Sequence, residues 1–211
     1  MGAGLRVDAK RNRERVLVAA RAVFARRGLE AGVDEIAREA GVGVGTLYRR
    51  FPTKDDLILA IVADGMGVLL EEIDAAARLK DPWEGVETAM LALAESMAAD
   101  RGFVDAVREH LLTLPPFLSL RERLLGAWEP LVARGRAAGV LRDDVEPLDL
   151  LLLARGVVRM SPDRDDVDPR LWRRYMAVVL DGLRVRGAGE LPVGPPRAVR
   201  RAPPPEVDSA P

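Results

Sequence analysis

The chain of 211 residues is long enough for one large helical domain, or for a small domain joined to a medium one. It contains no cysteine, which excludes disulfides, zinc fingers and thiol catalysis. The formal net charge of −1 argues against a protein that coats nucleic acid over its whole surface. The charge is uneven, because residues 1–60 hold twelve lysines and arginines against eight acidic residues, whereas residues 61–211 carry a net −5. A basic segment before an acidic body is typical of a polyanion-binding module joined to a second function.

Targeting and metal-binding signals are scarce. The N-terminal residues lack the charged-then-apolar pattern of a signal peptide, and no window of about 18 apolar residues could span a bilayer. A single histidine, His110, leaves little for a histidine-rich metal site. We therefore expect a cytoplasmic protein with no membrane partner, no metal and no cofactor.

Apolar residues recur at three- and four-residue spacing, and alternating runs of β-branched residues are nearly absent, so the sequence predicts an all-α protein of about nine helices. The first helix is expected to end at Gly28, because glycine accepts positive φ. A short second helix is predicted at about residues 33–40, followed by a break at Gly41. The third, at about residues 44–51, is stopped by Pro52.

Later helices have clear start signals. Thr53 with Asp56 three residues on predicts the N-cap of a long fourth helix, and Asp81 before Pro82 predicts the start of a fifth. Pro130 is expected to kink the seventh helix. The predicted helices after the fourth lie at about residues 82–99, 103–112, 118–138, 147–160 and 169–185.

Residues 33–57 are the most informative stretch, because two helices of about two turns each are joined there by a tight turn at Gly41. This arrangement lets a first helix brace a second one that lies in the major groove of DNA. Glycine weakens a helix by about 1 kcal/mol relative to alanine, and close approach of the backbone to DNA would explain Gly43 and Gly45. The DNA-facing candidates are Gly43, Val44, Gly45, Thr46, Tyr48, Arg49 and Arg50.

This stretch closely resembles the helix-turn-helix of the tetracycline-repressor-like (TetR) family. The shared pattern is an alanine-glycine-valine turn that leads into a glycine-threonine-leucine-tyrosine-x-x-phenylalanine helix, here residues 40–51. The resemblance covers about residues 10–69. Similar proteins are α-helical homodimers whose C-terminal domain binds a small molecule that releases the DNA operator. The resemblance therefore implies a ligand-responsive transcription regulator, and a repressor because that role is the commoner one.

The resemblance also implies roles for individual residues. Tyr48 and Lys54 correspond to phosphate contacts, and Gly45 with Thr46 corresponds to a groove-facing pair. Tyr48 has an alternative role as a core residue with its hydroxyl at the surface. An N-terminal arm of Arg11, Arg13 and Arg15 would add further contacts.

The sequence departs from the family pattern at three positions. Val33 occupies the place of a threonine that usually caps the second helix and touches phosphate, and Gly43 with Val44 replaces a more usual polar pair. Arg49 and Arg50 therefore become the expected contacts to bases or backbone, because arginine pairs bidentately with guanine or phosphate. Taken alone, they would be a solvated charged pair.

The resemblance and the composition together predict a domain organisation. Residues 9–69 would form the DNA-binding domain, with the helix-turn-helix at 32–51, and residues 70–186 a helical effector-binding and dimerisation domain. Proline, glycine and arginine dominate residues 187–211. Such a composition cannot bury enough apolar area to fold, so we expect a disordered tail.

A helical body that holds a ligand needs an adaptable apolar lining, which methionine and aromatic side chains supply. We expect a pocket between helices 4 and 7 and a largely apolar effector, with ordinary core packing as the alternative for each residue. The pocket candidates are Met66, Met90, Met97, Phe103, His110, Phe117 and Trp128.

The last two helices are apolar almost all round, and such helices must be covered on both sides. In a monomer of this size one side would face water, so we expect a homodimer. The interface candidates are Leu148, Leu151, Leu152, Trp172, Tyr175, Val179 and Leu183.

The alternative function is a small helical enzyme with an incidental basic N-terminus. Against it, the sequence has one histidine, no cysteine and no recognisable paired-acid, metal or phosphate-loop spacing. A regulator without a small-molecule ligand is a third possibility, which would lack a pocket.

Overall fold

The computed structural model describes residues 2–160 and 168–185. Within these residues it consists of nine α-helices and a short 3-10 turn at Gly28–Glu30, with no β-strand. The all-α prediction is confirmed, whereas the predicted tail at 187–211 lies outside the described residues. The helices are α1 Gly2–Arg27, α2 Val33–Ala40, α3 Val44–Arg50, α4 Lys54–Ala77, α5 Pro82–Ala99, α6 Arg101–Leu111, α7 Pro115–Ala137, α8 Pro147–Met160 and α9 Leu171–Leu183.

Local chemistry sets several of these boundaries. Gly28 follows α1 with φ of +65°, the left-handed region that favours glycine. Thr53 and Asp56 form a reciprocal capping box at the start of α4, in which each side chain accepts from the backbone N–H of the other residue. The Asp81 side chain caps α5 by accepting from the N–H of Trp83 at 2.8 Å.

The start of α7 differs from the prediction, which placed the helix at about residue 118. In the structure Pro115 and Pro116 form its first turn. A helix leaves the N–H groups of that turn without internal partners, so the missing N–H of proline costs nothing there. The double proline begins this helix and does not interrupt the chain before it.

The buried apolar side chains form two clusters. The N-terminal cluster unites α1, α2, α3, the first part of α4 and α6. Phe24 of α1 and Phe103 of α6 pack with ring centroids 6.3 Å apart, and Val107 and Leu111 bring two further turns of α6 into the same core. Although α6 comes late in the sequence, its buried face therefore supports the first three helices.

The C-terminal cluster unites the second part of α4 with α5, α7, α8 and α9. Trp128 of α7 lies at its centre and has no exposed surface. Arg134 of α7 also donates to carbonyl groups after and at the end of α4, including that of Leu79 at 2.8 Å. These bonds satisfy acceptors that a helix C-terminus leaves unpaired.

Helix α4 connects the clusters, because it contributes Ile61 to the N-terminal cluster and Leu69 to the C-terminal cluster. Among the N-terminal helices, Gly102 at the start of α6 touches α1 so closely that a Cβ added there would lie 3.2 Å from the Cβ of Ala25. No helix in the described part of the chain is long and apolar enough to cross a membrane.

Candidate nucleic-acid interface and internal cavity

The turn between α2 and α3 depends on Gly41. Its φ of +62° places it in the left-handed region, and its N–H donates to the carbonyl of Arg38 at 3.1 Å. The N–H of Val42 then reaches back to the carbonyl of Ala37 at 3.0 Å. This pair of bonds ends α2 abruptly and fixes the direction in which α3 departs.

Arg15 of α1 holds this turn from the opposite side. Its Nη2 donates to the carbonyl of Ala40 at 2.6 Å and to that of Gly41 at 3.1 Å. A Cβ on Gly41 would lie only 2.6 Å from the same nitrogen. The sequence placed Arg15 in an N-terminal arm for DNA, but the structure places its guanidinium on the turn. Arg13 likewise pairs with Asp64 at 3.0 Å.

Helix α3 has one buried side and one exposed side. Leu47 packs into the N-terminal cluster, as does Phe51 immediately after the helix, and Val44 is half-buried against it. Tyr48 is 47% exposed. The exposed residues of this segment are Gly43, Gly45, Thr46, Tyr48, Arg49 and Arg50. All the predicted groove-facing residues except Val44 thus share one accessible surface.

The protein's own packing does not require either glycine at the start of α3. A Cβ on Gly45 would meet nothing within 4 Å, and one on Gly43 would meet only the Thr46 hydroxyl at 3.9 Å. Neither residue has positive φ. Gly43 is the N-cap of α3, a position where glycine is preferred to alanine. Gly45 lies inside the helix, where alanine would fit and would strengthen it, so Gly45 is consistent with close approach by a partner outside the chain.

Other predicted DNA contacts already have partners within the protein. The Lys54 ammonium donates to the carbonyl of Leu29 at 2.7 Å and is half-buried, so it bridges α4 to the turn after α1. Arg49 donates to the hydroxyl of Thr46 at 3.4 Å, which orients both along α3. The α2 N-terminus has no side-chain cap, in keeping with Val33 in place of threonine.

A cavity of about 410 Å³ lies between the two clusters. Residues from six helices line it, with α1 and α4 on one side and α5, α6, α7 and α8 around the rest. Four of the seven pocket candidates, Met66, Met97, Phe103 and Phe117, are among the lining residues.

The other three pocket candidates lie elsewhere. Met90 and Trp128 are fully buried in the C-terminal cluster and do not line the cavity. His110 places its Nε2 2.7 Å from Oδ1 of Asp55 in the first turn of α4. These three assignments are therefore corrected: two residues are core, and the third connects α6 to α4.

An ion pair missed by the sequence reasoning lines the cavity. Arg21 of α1 places Nη1 3.3 Å from Oδ2 of Asp100 at the end of α5, and its Nη2 donates to the carbonyl of Ile61 at 3.4 Å. Burial raises the pKa of the Asp100 carboxyl, and the neighbouring Arg21 charge opposes that rise. No local pattern could reveal a pair so far apart in sequence.

The metal-ligand inventory of the described residues is small. Among residues 2–160 and 168–185, no group of three or more His, Cys, Asp or Glu side chains is arranged to hold a metal ion. The polar groups of the cavity are instead the side chains of Arg21, Ser96, Asp100, Arg121 and Arg155.

The predicted dimer residues divide into three sets. Trp172 and Leu183 are buried within the C-terminal cluster of one protomer, so the structure corrects their assignment to a partner-facing surface. Leu148, Leu151 and Leu152 line the cavity, although Leu152 is also 46% exposed. Trp172 and Leu183 thus lie on the side of α9 that faces the protomer's own core.

What remains exposed on α9 is a narrower apolar surface. Tyr175 is exposed and Val179 is half-buried. Val178, which the sequence reasoning did not select, is 67% exposed. On α8 the exposed apolar residues are Leu152, Leu153 and Met160.

A helix-turn-helix whose turn is held by α1, joined to an all-helical body, is the architecture of a DNA-binding protein of the helix-turn-helix class. Residues 16–61 match the family model of bacterial regulatory proteins of the tetR family, and residues 81–185 match the C-terminal domain of SbtR-like transcriptional regulators.

Relatives agree with this class. A TetR transcriptional regulator from Streptomyces coelicolor is 33% identical, with a TM-score of 0.62 over 82% of this chain and 98% of that one. A TetR regulatory protein from Mycobacterium vanbaalenii is 34% identical, with a TM-score of 0.61 over 86% and 99%. An HTH-type regulator from Staphylococcus aureus (strain USA300) is 37% identical over 67 residues, 31% of this chain. The match spans only 36% of that regulator's length. The chain belongs to the TetR family of transcriptional regulators.

Proposed function

We propose that this regulator is a homodimeric repressor that leaves its operator when a small, largely apolar ligand binds in the cavity. One observation supports the link most directly: Ile61, Phe103 and Leu111 belong to the N-terminal cluster and also line the cavity. A ligand there would press on the core that positions α2 and α3. In this proposal residues 9–69 bind DNA and also contribute Arg21, Ile61 and Met66 to the effector cavity, while residues 70–186 supply the rest of the cavity and dimerise.

The DNA-binding step uses the exposed side of α3. With α3 in the major groove, Arg49 and Arg50 lie where bidentate contacts to guanine or phosphate form, and the glycines let the backbone approach. Tyr48 adds a phenolic hydroxyl at the same surface, suited to a phosphate oxygen. Lys54 would have to share its ammonium between Leu29 and a phosphate, which its three donors permit.

The dimer would form through the apolar residues that α8 and α9 leave exposed. Val178 and Tyr175 on α9, with Leu152 and Leu153 on α8, supply the uncovered apolar area. A two-fold dimer presents two equivalent α3 helices, so the operator should be pseudo-palindromic with half-sites one or more DNA turns apart.

Arg21 is a candidate for the residue that transmits ligand binding to the DNA-binding helices. Because Arg21 belongs to α1 and pairs with Asp100 in the cavity lining, a ligand that shifts α5 would also shift α1. A ligand can act only by binding the DNA-incompetent arrangement more tightly than the competent one. A coupling of about 1–3 kcal/mol would lower operator affinity roughly 5- to 150-fold.

The proposal is tested by footprinting the full-length protein on the DNA upstream of its gene, then repeating with small apolar compounds. We expect a protected pseudo-palindrome that a subset of compounds releases. In Met97→Trp, a larger side chain fills part of the cavity, so the same compounds should fail. Val68→Trp is the control, because Val68 is exposed on α4 outside the lining. Protection of the DNA without regard to sequence would contradict the regulator function. If the compounds release Met97→Trp from the operator at the same concentration as the wild type, the proposed ligand site is wrong.

A further inference from the structure

The charged side chains of the cavity are unequal in sign. Three arginines, Arg21, Arg121 and Arg155, line it together with one carboxylate, Asp100. Arg21 and Asp100 form an ion pair at 3.3 Å, so their charges offset each other. Most of the remaining lining consists of leucine, methionine, valine, isoleucine and phenylalanine. Arg155 also has an interaction within the protein, so the charge of this apolar site that is left without a partner is that of Arg121.

Arg121 is the arginine whose donors are uncommitted. It lies on α7 and is half-buried, and Phe117 one turn before it and Leu124 one turn after it line the same cavity. Within residues 2–160 and 168–185, no hydrogen bond or ion pair involves the Arg121 guanidinium. A guanidinium has five N–H donors, and Arg121 lines the cavity with none of them bound to an acceptor of the described residues.

Ligand binding would change the surroundings of this guanidinium. An apolar ligand would displace water from it, and a charged group that loses water without gaining a partner is costly to bury. A cationic ligand would add repulsion from the Arg121 guanidinium. A carboxylate, in contrast, accepts two parallel N–H···O bonds from a guanidinium. The ligand that fits the lining is one that brings its own anionic acceptor.

We propose that the effector is an amphiphilic monoanion, an alkyl chain that ends in a carboxylate. The carboxylate pairs with Arg121, and the chain lies among the apolar side chains. The inference rests on the proposed function, because it assigns a chemical class to the ligand of the same cavity. A volume of about 410 Å³ lies within the range of small-molecule sites, and Met66 and Met97 offer adaptable walls to a flexible chain.

The test compares three probes that share one tail and differ in the head group: dodecanoate, dodecanol and dodecylammonium, each below its micelle-forming concentration. Binding to the full-length protein is measured by calorimetry, and operator release by fluorescence anisotropy of labelled DNA. A bidentate charged hydrogen bond should make dodecanoate bind at least about tenfold more tightly than dodecanol. Dodecylammonium should bind more weakly than dodecanol.

Two variants locate the effect. Arg121→Gln should reduce the advantage of dodecanoate over dodecanol to about onefold, because the bidentate partner of the carboxylate is lost. Arg123→Gln removes an equal charge from an exposed position of the same helix, outside the lining, and should keep the full advantage. Circular dichroism of both variants checks that the helices are intact.

Several outcomes would overturn the inference: equal binding of dodecanoate and dodecanol to the wild type, a full carboxylate advantage in Arg121→Gln, or no binding of any probe. If dodecanol releases the operator as well as dodecanoate does, the ligand-released repressor stands and only the anionic class is wrong. If the protein binds no operator, the proposed function is wrong, while calorimetry still decides whether Arg121 selects carboxylates.

Discussion

The two functional regions of this regulator are built in opposite ways. The turn and α3 form one contiguous segment, residues 41–50, in which a single buried side chain, Leu47, faces inward. The cavity takes residues from six helices that span positions 21–155. A surface of the first kind follows from local spacing alone. A void of the second kind depends on how distant helices pack, so residue type does not show which side chains border it.

The largest expected effect concerns Trp128, which tests the boundary of the cavity. Because Trp128 is fully buried in the C-terminal cluster, Trp128→Ala should destabilise the protein by about 3–5 kcal/mol, measured by urea unfolding. Phe117→Ala, at a half-buried residue of the cavity lining, should cost less stability and weaken ligand binding. If the Trp128→Ala protein remains stable but no longer responds to ligand, Trp128 belongs to the ligand site.

Next in size is the expected effect of Arg50→Ala on DNA. Arg50 is exposed on α3, so its removal should weaken operator binding by about 1–3 kcal/mol and relax the preference at one base position. Anisotropy titrations against a panel of operators with single-base changes measure both effects. Arg38→Ala removes an exposed arginine from α2 and serves as the charge control. Equal losses from the two variants would show that Arg50 contributes only general attraction.

Gly41→Ala tests the turn itself. A non-glycine residue at left-handed φ costs about 1–2 kcal/mol, and here the added Cβ would also crowd the Arg15 guanidinium. Gly28→Ala is a matched control, because Gly28 has a similar φ of +65° but open space where its Cβ would be. We expect thermal unfolding to show a larger loss for Gly41→Ala than for Gly28→Ala. Equal losses of stability in the two variants would mean that crowding by Arg15 of α1 adds nothing to the cost of Gly41→Ala.

The smallest expected effect is that of Gly45→Ala, which should raise stability and lower operator affinity. Gly45→Ala should stabilise the protein by roughly 0.5–1 kcal/mol, because alanine favours the helix and open space surrounds the new methyl. Operator affinity should nevertheless fall, since the methyl would separate the backbone from DNA. Gly67→Ala, a glycine on α4 with similar open space, should give the stability gain without the loss of affinity. Unchanged operator affinity in Gly45→Ala would show that Gly45 is not needed for close approach of the backbone to DNA.

The sequence predicted the parts of the fold that short-range chemistry determines. Gly41, the Thr53–Asp56 cap and the Asp81 cap each depend on residues within a few positions, and each lies where it was expected. The family resemblance assigned Lys54 to phosphate, and Arg15 was expected in an N-terminal arm that contacts DNA. Both donate to carbonyl groups about 25 residues away, and only the tertiary structure can show such contacts.

The apolar pattern of α8 and α9 was informative about burial but not about the partner. Trp172, Met176, Leu180 and Leu183 lie one turn apart and face the protomer's own core. Val178, the most exposed large apolar residue of α9, belongs to the opposite side. Periodicity identifies both sides of such a helix, but neighbouring helices decide which side remains for a second chain.

The close contact between Gly102 and Ala25 has a consequence for how the response of such a regulator is set. The two helices are in contact at Gly102, whose side chain is a single hydrogen atom. An alanine methyl at this position would push α1 and α6 apart by a few tenths of an ångström. That displacement acts in the same direction as a ligand that wedges α6 away from α1. A single small substitution at position 102 would therefore lower the ligand concentration needed for the response, without altering either binding surface.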